Sequence, residues 1–195
     1  MRPWCLMLAG LLPAVAGATD ATVTASETFK PAPVAGHPVF DFRAGLSTVG
    51  PADRPYMCAE VNPVERFGIE MCGNGAGFLH NADVPDLAHF RARATLHTHE
   101  DGRWSASAVV GAGFAELQGT ADQPGFRFRD DGPGAIEAAG PEISVSGKGR
   151  AWMGEKVYAV VDANAGVAYI PGAPSVMGRG GPVVPFLLVT AGMGF

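Results

Sequence analysis

Residues 90–97, Phe-Arg-Ala-Arg-Ala-Thr-Leu-His, alternate strictly between apolar and polar side chains. A period of two places successive side chains on opposite faces of a β-strand, so this stretch predicts a strand with one apolar and one polar face. Both arginines, Arg91 and Arg93, fall on the same face. The stretch therefore predicts a sheet whose charged side chains are confined to one side.

The same alternation recurs in eight consecutive runs between residue 38 and residue 195. These runs are 38–49, 55–62, 66–79, 89–99, 103–117, 141–153, 156–170 and 183–195. At the centre of each run, the positions of the apolar parity carry no charged residue. Eight such runs predict an all-β domain.

The connections between the runs alternate in length. Short turns are expected at 63–65, 100–102 and 154–155, whereas longer links run across 50–54, 80–88, 118–140 and 171–182. This alternation places every tight turn at one end of the strands and every long loop at the other. It is typical of an outer-membrane barrel, which has short periplasmic turns and longer extracellular loops.

Charge and side-chain size indicate which face points inward. The apolar parity is dominated by Ala and Gly, which are too small to fill a barrel core but suit a surface in contact with lipid. The polar parity carries five charges of each sign, and charges inside a narrow lumen must pair to avoid a large desolvation cost. The predicted interior network consists of Asp41, Arg43, Glu60, Glu70, Arg91, Arg93, Glu142, Lys148, Arg150 and Asp162. The predicted fold is an eight-stranded antiparallel transmembrane up-and-down β-barrel, with a soluble secreted β-barrel as the alternative.

The N-terminal region has the layout of a secretory signal peptide. Arg2 precedes an apolar stretch over 6–15, and the small residues Ala16-Gly17-Ala18 follow it, which predicts a leader over 1–18. Residues 19–37 show no periodicity and are expected to form a flexible segment, which leaves 38–195 for the barrel. No later segment offers the roughly 18 uninterrupted apolar residues that a membrane-spanning helix needs.

Overall composition limits the kinds of partner. Charged residues make up 17% of the chain, the formal net charge is −5, and no basic run is present. Because nucleic-acid binding depends on clustered positive charge, nucleic acid is not an expected partner.

The last run closes on an aromatic residue, in the sequence Leu187-Leu188-Val189-Thr190-Ala191-Gly192-Met193-Gly194-Phe195. With the seven runs before it, this ending resembles the small OmpA/OmpX-type transmembrane barrels of Gram-negative bacteria, over about residues 38–195. The resemblance implies a location in the bacterial cell outer membrane and contact with outer-membrane lipid. It also implies that Phe195 belongs to the signal read by the outer-membrane assembly machinery.

The second and third runs bring two pairs of like residues together. A turn centred on Glu65 places Cys58 opposite Cys72 and Glu60 opposite Glu70, with both pairs pointing inward. Export into an oxidising compartment favours a Cys58–Cys72 disulfide over free thiols. The two glutamates would repel each other unless an arginine lies between them, and Arg43 and Arg91 are the candidates. A catalytic carboxylate dyad is the alternative for this pair.

Histidines near the fourth turn raise the possibility of catalysis. His97 and His99 share a parity that would face Ser105 and Ser107 across the turn, as in a Ser–His hydrolase acting on lipid. Their position at the short-turn end argues against this activity, because an enzyme for surface lipid needs its site near the long loops. A metal site at the histidines lacks a clear third ligand, so no metal or cofactor is expected.

An eight-stranded barrel has an interior just wide enough for side chains to fill, so free conduction of solutes is not expected. Function would then fall to the loops. The longest predicted loop contains an aromatic and charged tip, Phe126, Arg127, Phe128 and Arg129, suited to an extracellular protein or surface ligand. The leading hypothesis is a non-enzymatic outer-membrane protein with a structural or surface-interaction role. The alternatives are a barrel enzyme or small-ligand carrier acting on lipid, and a soluble secreted barrel.

Overall fold

The computed structural model describes residues 37–49, 55–74, 86–119, 137–178 and 180–195, and these form a closed antiparallel β-barrel. Each strand pairs with the next along the chain, and the last strand pairs with the first. The strands are β1 (Phe40–Ser47), β2 (Tyr56–Val64), β3 (Phe67–Gly73), β4 (Asp86–Asp101), β5 (Trp104–Gln118), β6 (Glu137–Trp152), β7 (Tyr158–Tyr169) and β8 (Val183–Gly194). The prediction of eight antiparallel strands in an up-and-down barrel is confirmed.

The alternation of short and long connections is also confirmed. The links after β2, β4 and β6 span only 65–66, 102–103 and 153–157, whereas the links after β1, β3, β5 and β7 are longer. In the tight turn after β4, Gly102 adopts a φ of 60°, a left-handed conformation that glycine reaches without steric cost. We call the end of the barrel with the three short links the turn end, and the opposite end the loop end.

The distribution of side chains is the reverse of that in a water-soluble barrel. Along β1, the charged residues Asp41 and Arg43 are buried inside, whereas Phe42 and Leu46 on the opposite parity are exposed. The same arrangement runs along β6, where Glu142 and Lys148 are buried and Ile143 and Val145 are exposed. The barrel therefore has a charged interior and an apolar outer wall.

The larger of two buried apolar clusters in the described residues closes the interior at the loop end. The buried cluster there includes Tyr56, Leu87, Leu117, Ile170 and Phe186, which lie where β2, β4, β5, β7 and β8 meet the long links. A short helix, α1 (Ala173–Met177), packs against this cluster, and Ala173 is fully buried. We call this cluster with α1 the apolar cap.

Two strands begin earlier than the hydrophobic pattern indicates. Pairing continues to Asp86↔Gln118 and Gln118↔Glu137, so β4 and β6 start before the predicted residues 89 and 141. Near these strand ends the outward parity carries the carboxylates Asp86, Glu116 and Glu137. These carboxylates interrupt the apolar alternation of the sequence, although the backbone hydrogen bonds between the strands continue. Within the described ranges, no helix is long and apolar enough to cross a membrane.

A β-bulge at Leu96 corrects the predicted orientation of the fourth strand near its turn. Thr95 pairs with Val109 but His97 pairs with Ala108, so one extra residue in β4 shifts the parity of everything that follows. His97 and His99 therefore pair with outward-facing alanines, and Thr98 and Glu100 take the inward positions opposite Ser107 and Ser105. The prediction that both histidines share the face of these serines is wrong.

Candidate functional site in the barrel interior

The middle of the barrel holds a dense cluster of buried charges. Nine of the ten residues predicted for the interior network are almost fully buried, and Arg150 is only partly buried. The carboxylates come from β1, β2, β3, β6 and β7, and the cations come from β1, β4 and β6. The strands bring these side chains together because each one falls on the inward parity of its strand.

Arg43 of β1 lies at the centre of this cluster. Its Nε is 2.6 Å from Asp41 Oδ1, and its terminal nitrogens lie 2.8 Å from Glu60 Oε2 and 2.9 Å from Asp162 Oδ2. The same guanidinium also contacts Glu70. A planar guanidinium offers five donors, which is why one arginine can satisfy several carboxylates at once.

Arg93 contacts three of the same carboxylates from the opposite side of the lumen. Its terminal nitrogens lie 2.8 Å from Glu60 Oε2, 2.6 Å from Glu70 Oε2 and 2.7 Å from Asp162 Oδ2. Lys148 completes the cluster, with its Nζ at 2.5 Å from Glu60 Oε2 and 3.3 Å from Asp41 Oδ2. Six strands, β1, β2, β3, β4, β6 and β7, are thereby linked across the lumen through ion pairs that are shielded from water.

Glu60 and Glu70 lie directly opposite each other in β2 and β3. Arg43 contacts both carboxylates, and Arg91 Nε lies 2.5 Å from Glu70 Oε1. The two arginines proposed for this position from the sequence are therefore present, and Arg93 is a third that spacing alone did not assign to it. Because arginines contact both carboxylates, Glu60 and Glu70 act as acceptors for guanidinium groups in the charged cluster.

His89 is an interior residue that was not among the predicted site residues. Its Nδ1 lies 2.5 Å from Glu142 Oε2, and its ring packs 4.3 Å from the ring of Phe186, measured between centroids. In the sequence His89 falls on the same parity as Arg91 and Arg93, and this alternation is the feature that would have predicted its inward position. This contact joins the charged cluster to the apolar cap.

The predicted disulfide is present between β2 and β3. Cys58 and Cys72 are bonded, with their Cα atoms 4.1 Å apart, and both are buried. Their pairing and that of Glu60 with Glu70 confirm the register expected from the turn at Glu65. The disulfide lies one inward position from the glutamates and belongs to the same buried cluster as the apolar cap.

Two groups of side chains in the described ranges are close enough to hold a metal ion, but both are already engaged. Ligand oxygens of Glu60, Glu70 and Asp162 lie within 4.8 Å of one another, and Arg43 and Arg93 contact all three residues. The other group contains both disulfide cysteines, whose sulfurs are bonded to each other. In the group of Glu60, Glu70 and Asp162, the carboxylate oxygens that could bind a metal ion are therefore already paired with guanidinium groups.

Arg150 differs from the other predicted network residues. It lies on β6 near the turn end, where its guanidinium carbon is 5.7 Å from the centroid of the Tyr158 ring. Tyr158 in turn packs against Trp152, with ring centroids 4.9 Å apart. An aromatic floor thus separates Arg150 from the charged cluster.

The strand register does not pair the histidines His97 and His99 with the serines Ser105 and Ser107, as the predicted Ser–His arrangement requires. Ser105 pairs with Glu100, and Ser107 Oγ lies 3.0 Å from Thr98 Oγ1, whereas His97 pairs with Ala108. The bulge at Leu96 is the physical cause, because it shifts the pairing so that both histidines lie opposite outward-facing alanines, although His97 still borders the cavity at the turn end that Ser105 lines.

Of the remaining predicted residues, Phe195 falls within the described ranges. Phe195 is exposed and packs on Phe40 with ring centroids 5.6 Å apart, while its backbone N–H donates to the carbonyl of Phe40. Phe126, Arg127, Phe128 and Arg129 lie outside the described residues. No protein-family model, no curated protein and no solved structure matches this chain.

Proposed function

We propose that this protein is a bacterial outer-membrane β-barrel of the small eight-stranded type, with a structural or surface-interaction role rather than a transport role. The observation that carries the proposal is the distribution of side chains in the barrel wall, which buries charged residues inside and exposes aliphatic residues outside. Leu46, Ile143 and Val145 are 67%, 64% and 62% exposed, and they belong to a band of exposed apolar side chains on the outer wall. In water a continuous apolar band promotes aggregation, whereas in a bilayer it is the surface that lipid requires.

Aromatic residues support this assignment at both edges of the band. Phe67, Trp104 and Phe195 are exposed near the turn end, and Phe90 stacks with Phe114 nearer the loop end at a centroid separation of 5.2 Å. Girdles of aromatic residues flank the apolar band of outer-membrane barrels where it meets the lipid headgroups. These two levels would mark the boundaries of the hydrocarbon region.

The filled interior argues against conduction. The ion pairs of Arg43, Arg93 and Lys148 cross the lumen at its centre, and the apolar cap occupies the loop end. A solute would have to break several buried ion pairs to pass, and each costs several kcal/mol to disrupt, on the order of 3–5. Contacts at the two ends of the barrel are therefore the proposed basis of function, with the long loops offered to the cell surface.

Membrane fractionation with gel electrophoresis tests the proposed location. We expect the protein in the outer-membrane fraction, and we expect the unheated folded barrel to migrate differently from the heated protein. Recovery in the soluble periplasm, with no mobility shift on heating, would favour the soluble secreted barrel and overturn the proposal.

A substitution on the outer wall tests lipid contact directly. Val145 lies on β6 between the two aromatic levels, so Val145→Arg should lower the free energy of unfolding in lipid vesicles by about 2–4 kcal/mol. Val64→Arg is the matched control, because Val64 is similarly exposed but lies beside the turn, where the cost should fall to about 0–1 kcal/mol. Equal small effects at the two depths would contradict a lipid-facing wall, since surface substitutions in water usually stay within about 0.5 kcal/mol.

A further inference from the structure

The turn end of the barrel contains an open polar cavity of about 580 Å³. It lies on the far side of the charged cluster from the apolar cap, so solvent can reach it from the turn end. Its volume is within the range of roughly 300–1,000 Å³ that small-molecule sites occupy. The residues that matter here are Arg150, Ser105, Thr98, Trp152, Glu65 and Glu100.

Arg150 is the more buried of the two arginines that line this cavity, the other being the exposed Arg66, and within the described part of the chain it lacks a counter-ion. The interior cations Arg43, Arg91, Arg93 and Lys148 each have a carboxylate within 4.0 Å, but among the described residues Arg150 has none. Its Nε is buried without a hydrogen-bond partner, and its guanidinium lies over the Tyr158 ring. A buried donor without a partner costs about 1–3 kcal/mol, which an anion supplied from solution would recover.

Neighbouring groups complete a site for an oxyanion. Ser105 is the direct cross-strand neighbour of Arg150, and the hydroxyls of Thr98 and Ser107 lie in the adjoining inward positions. Trp152 is nine-tenths buried and provides an apolar floor beside Tyr158. Arginine with adjacent hydroxyl donors on such a floor is suited to the two oxygens of a carboxylate or phosphate.

We propose that the turn-end cavity is a binding site for a small anion carrying a carboxylate or phosphate group, with the Arg150 guanidinium as its principal contact. This site goes beyond a structural or surface-interaction role. It depends on the inward residues of β4, β5 and β6 and not on the outer wall, so binding can fail or succeed independently of the membrane location. Glu65 and Glu100 lie on the exposed side of the cavity and should weaken the attraction without removing it.

The test uses the full chain, folded in non-ionic detergent, with Trp4→Phe and Trp104→Phe so that Trp152 is the remaining tryptophan. Trp152 fluorescence is titrated with inorganic phosphate and separately with acetate, against potassium chloride at matched ionic strength. We expect a saturable change with at least one of the two anions. A response to phosphate alone would assign the site to phosphate groups, and a response to acetate alone would assign it to carboxylates.

The variant Arg150→Gln should weaken that binding at least about tenfold, since charge-assisted hydrogen bonds contribute enough for a factor of this size. Arg150→Lys keeps the charge without the planar fork and should give an intermediate affinity, which also guards against misfolding of the glutamine variant. Arg103→Gln, an exposed arginine at the same end, is the control and should change affinity by less than about threefold. The proposal is overturned if neither anion gives a saturable response, or if the substitutions at Arg150 and Arg103 weaken binding equally.

Discussion

Replacement of Arg93 by methionine tests whether the charged cluster holds the barrel together. Arg93 contacts Glu60, Glu70 and Asp162, whose ligand oxygens lie within 4.8 Å of one another. Two like charges at that separation, with an effective dielectric constant of about 20, repel by roughly 3.5 kcal/mol. Arg43 and Lys148 remain to offset part of this repulsion. We therefore expect Arg93→Met to lower the free energy of unfolding by about 3–5 kcal/mol, the usual cost of removing one partner from a buried ion pair.

The assay is equilibrium unfolding in urea at neutral pH, followed by tryptophan fluorescence in the same detergent for every variant. Arg93→Lys retains the charge but loses the fork of donors, so its loss should be smaller than that of the methionine variant. Arg66→Met is the matched control, because Arg66 is exposed at the turn between β2 and β3 and should stay within about 0.5 kcal/mol of the parent. If Arg93→Met is also within about 0.5 kcal/mol of the parent, the buried ion pairs of Arg93 do not stabilise the fold.

Two further predictions concern the inner wall. Replacing both Cys58 and Cys72 by alanine should cost about 2–3 kcal/mol in the same unfolding assay, because the disulfide closes a loop of 14 residues in the unfolded chain; an unchanged midpoint would contradict this. Gly192→Ala should destabilise the barrel by about 1–3 kcal/mol, since a Cβ there would lie 2.7 Å from the Cα of Arg43 on the paired strand. Gly147→Ala is its control, because a Cβ at Gly147 meets nothing within 4 Å, and equal losses at the two glycines would show that the close approach is not the cause.

Local alternation was sufficient to predict much of the architecture. The parity of Arg91 and Arg93 against Ala92 and Ala94 indicates which side chains share a face, because a strand places successive residues on opposite sides. The spacing around Glu65 predicted the pairing of Cys58 with Cys72 correctly, although the turn itself pairs Val64 with Phe67 and the register shifts by one residue between Val61 and Val64. Strand ends were less predictable, because backbone pairing at β4 and β6 continues where the apolar pattern stops.

The sequence by itself determined the number of strands, the charged and apolar faces and the disulfide, all of which depend on neighbours along the chain or across one turn. Only the tertiary structure decided which charges meet across the lumen, as with Arg43 of β1 and Asp162 of β7 or Lys148 of β6 and Glu60 of β2. Those contacts depend on how β8 closes on β1, and no local period encodes that closure. The bulge at Leu96 was also decided by the tertiary structure, because it follows from how β4 aligns with β5. The same holds for Arg150, because the closed barrel decides which carboxylates lie near its guanidinium.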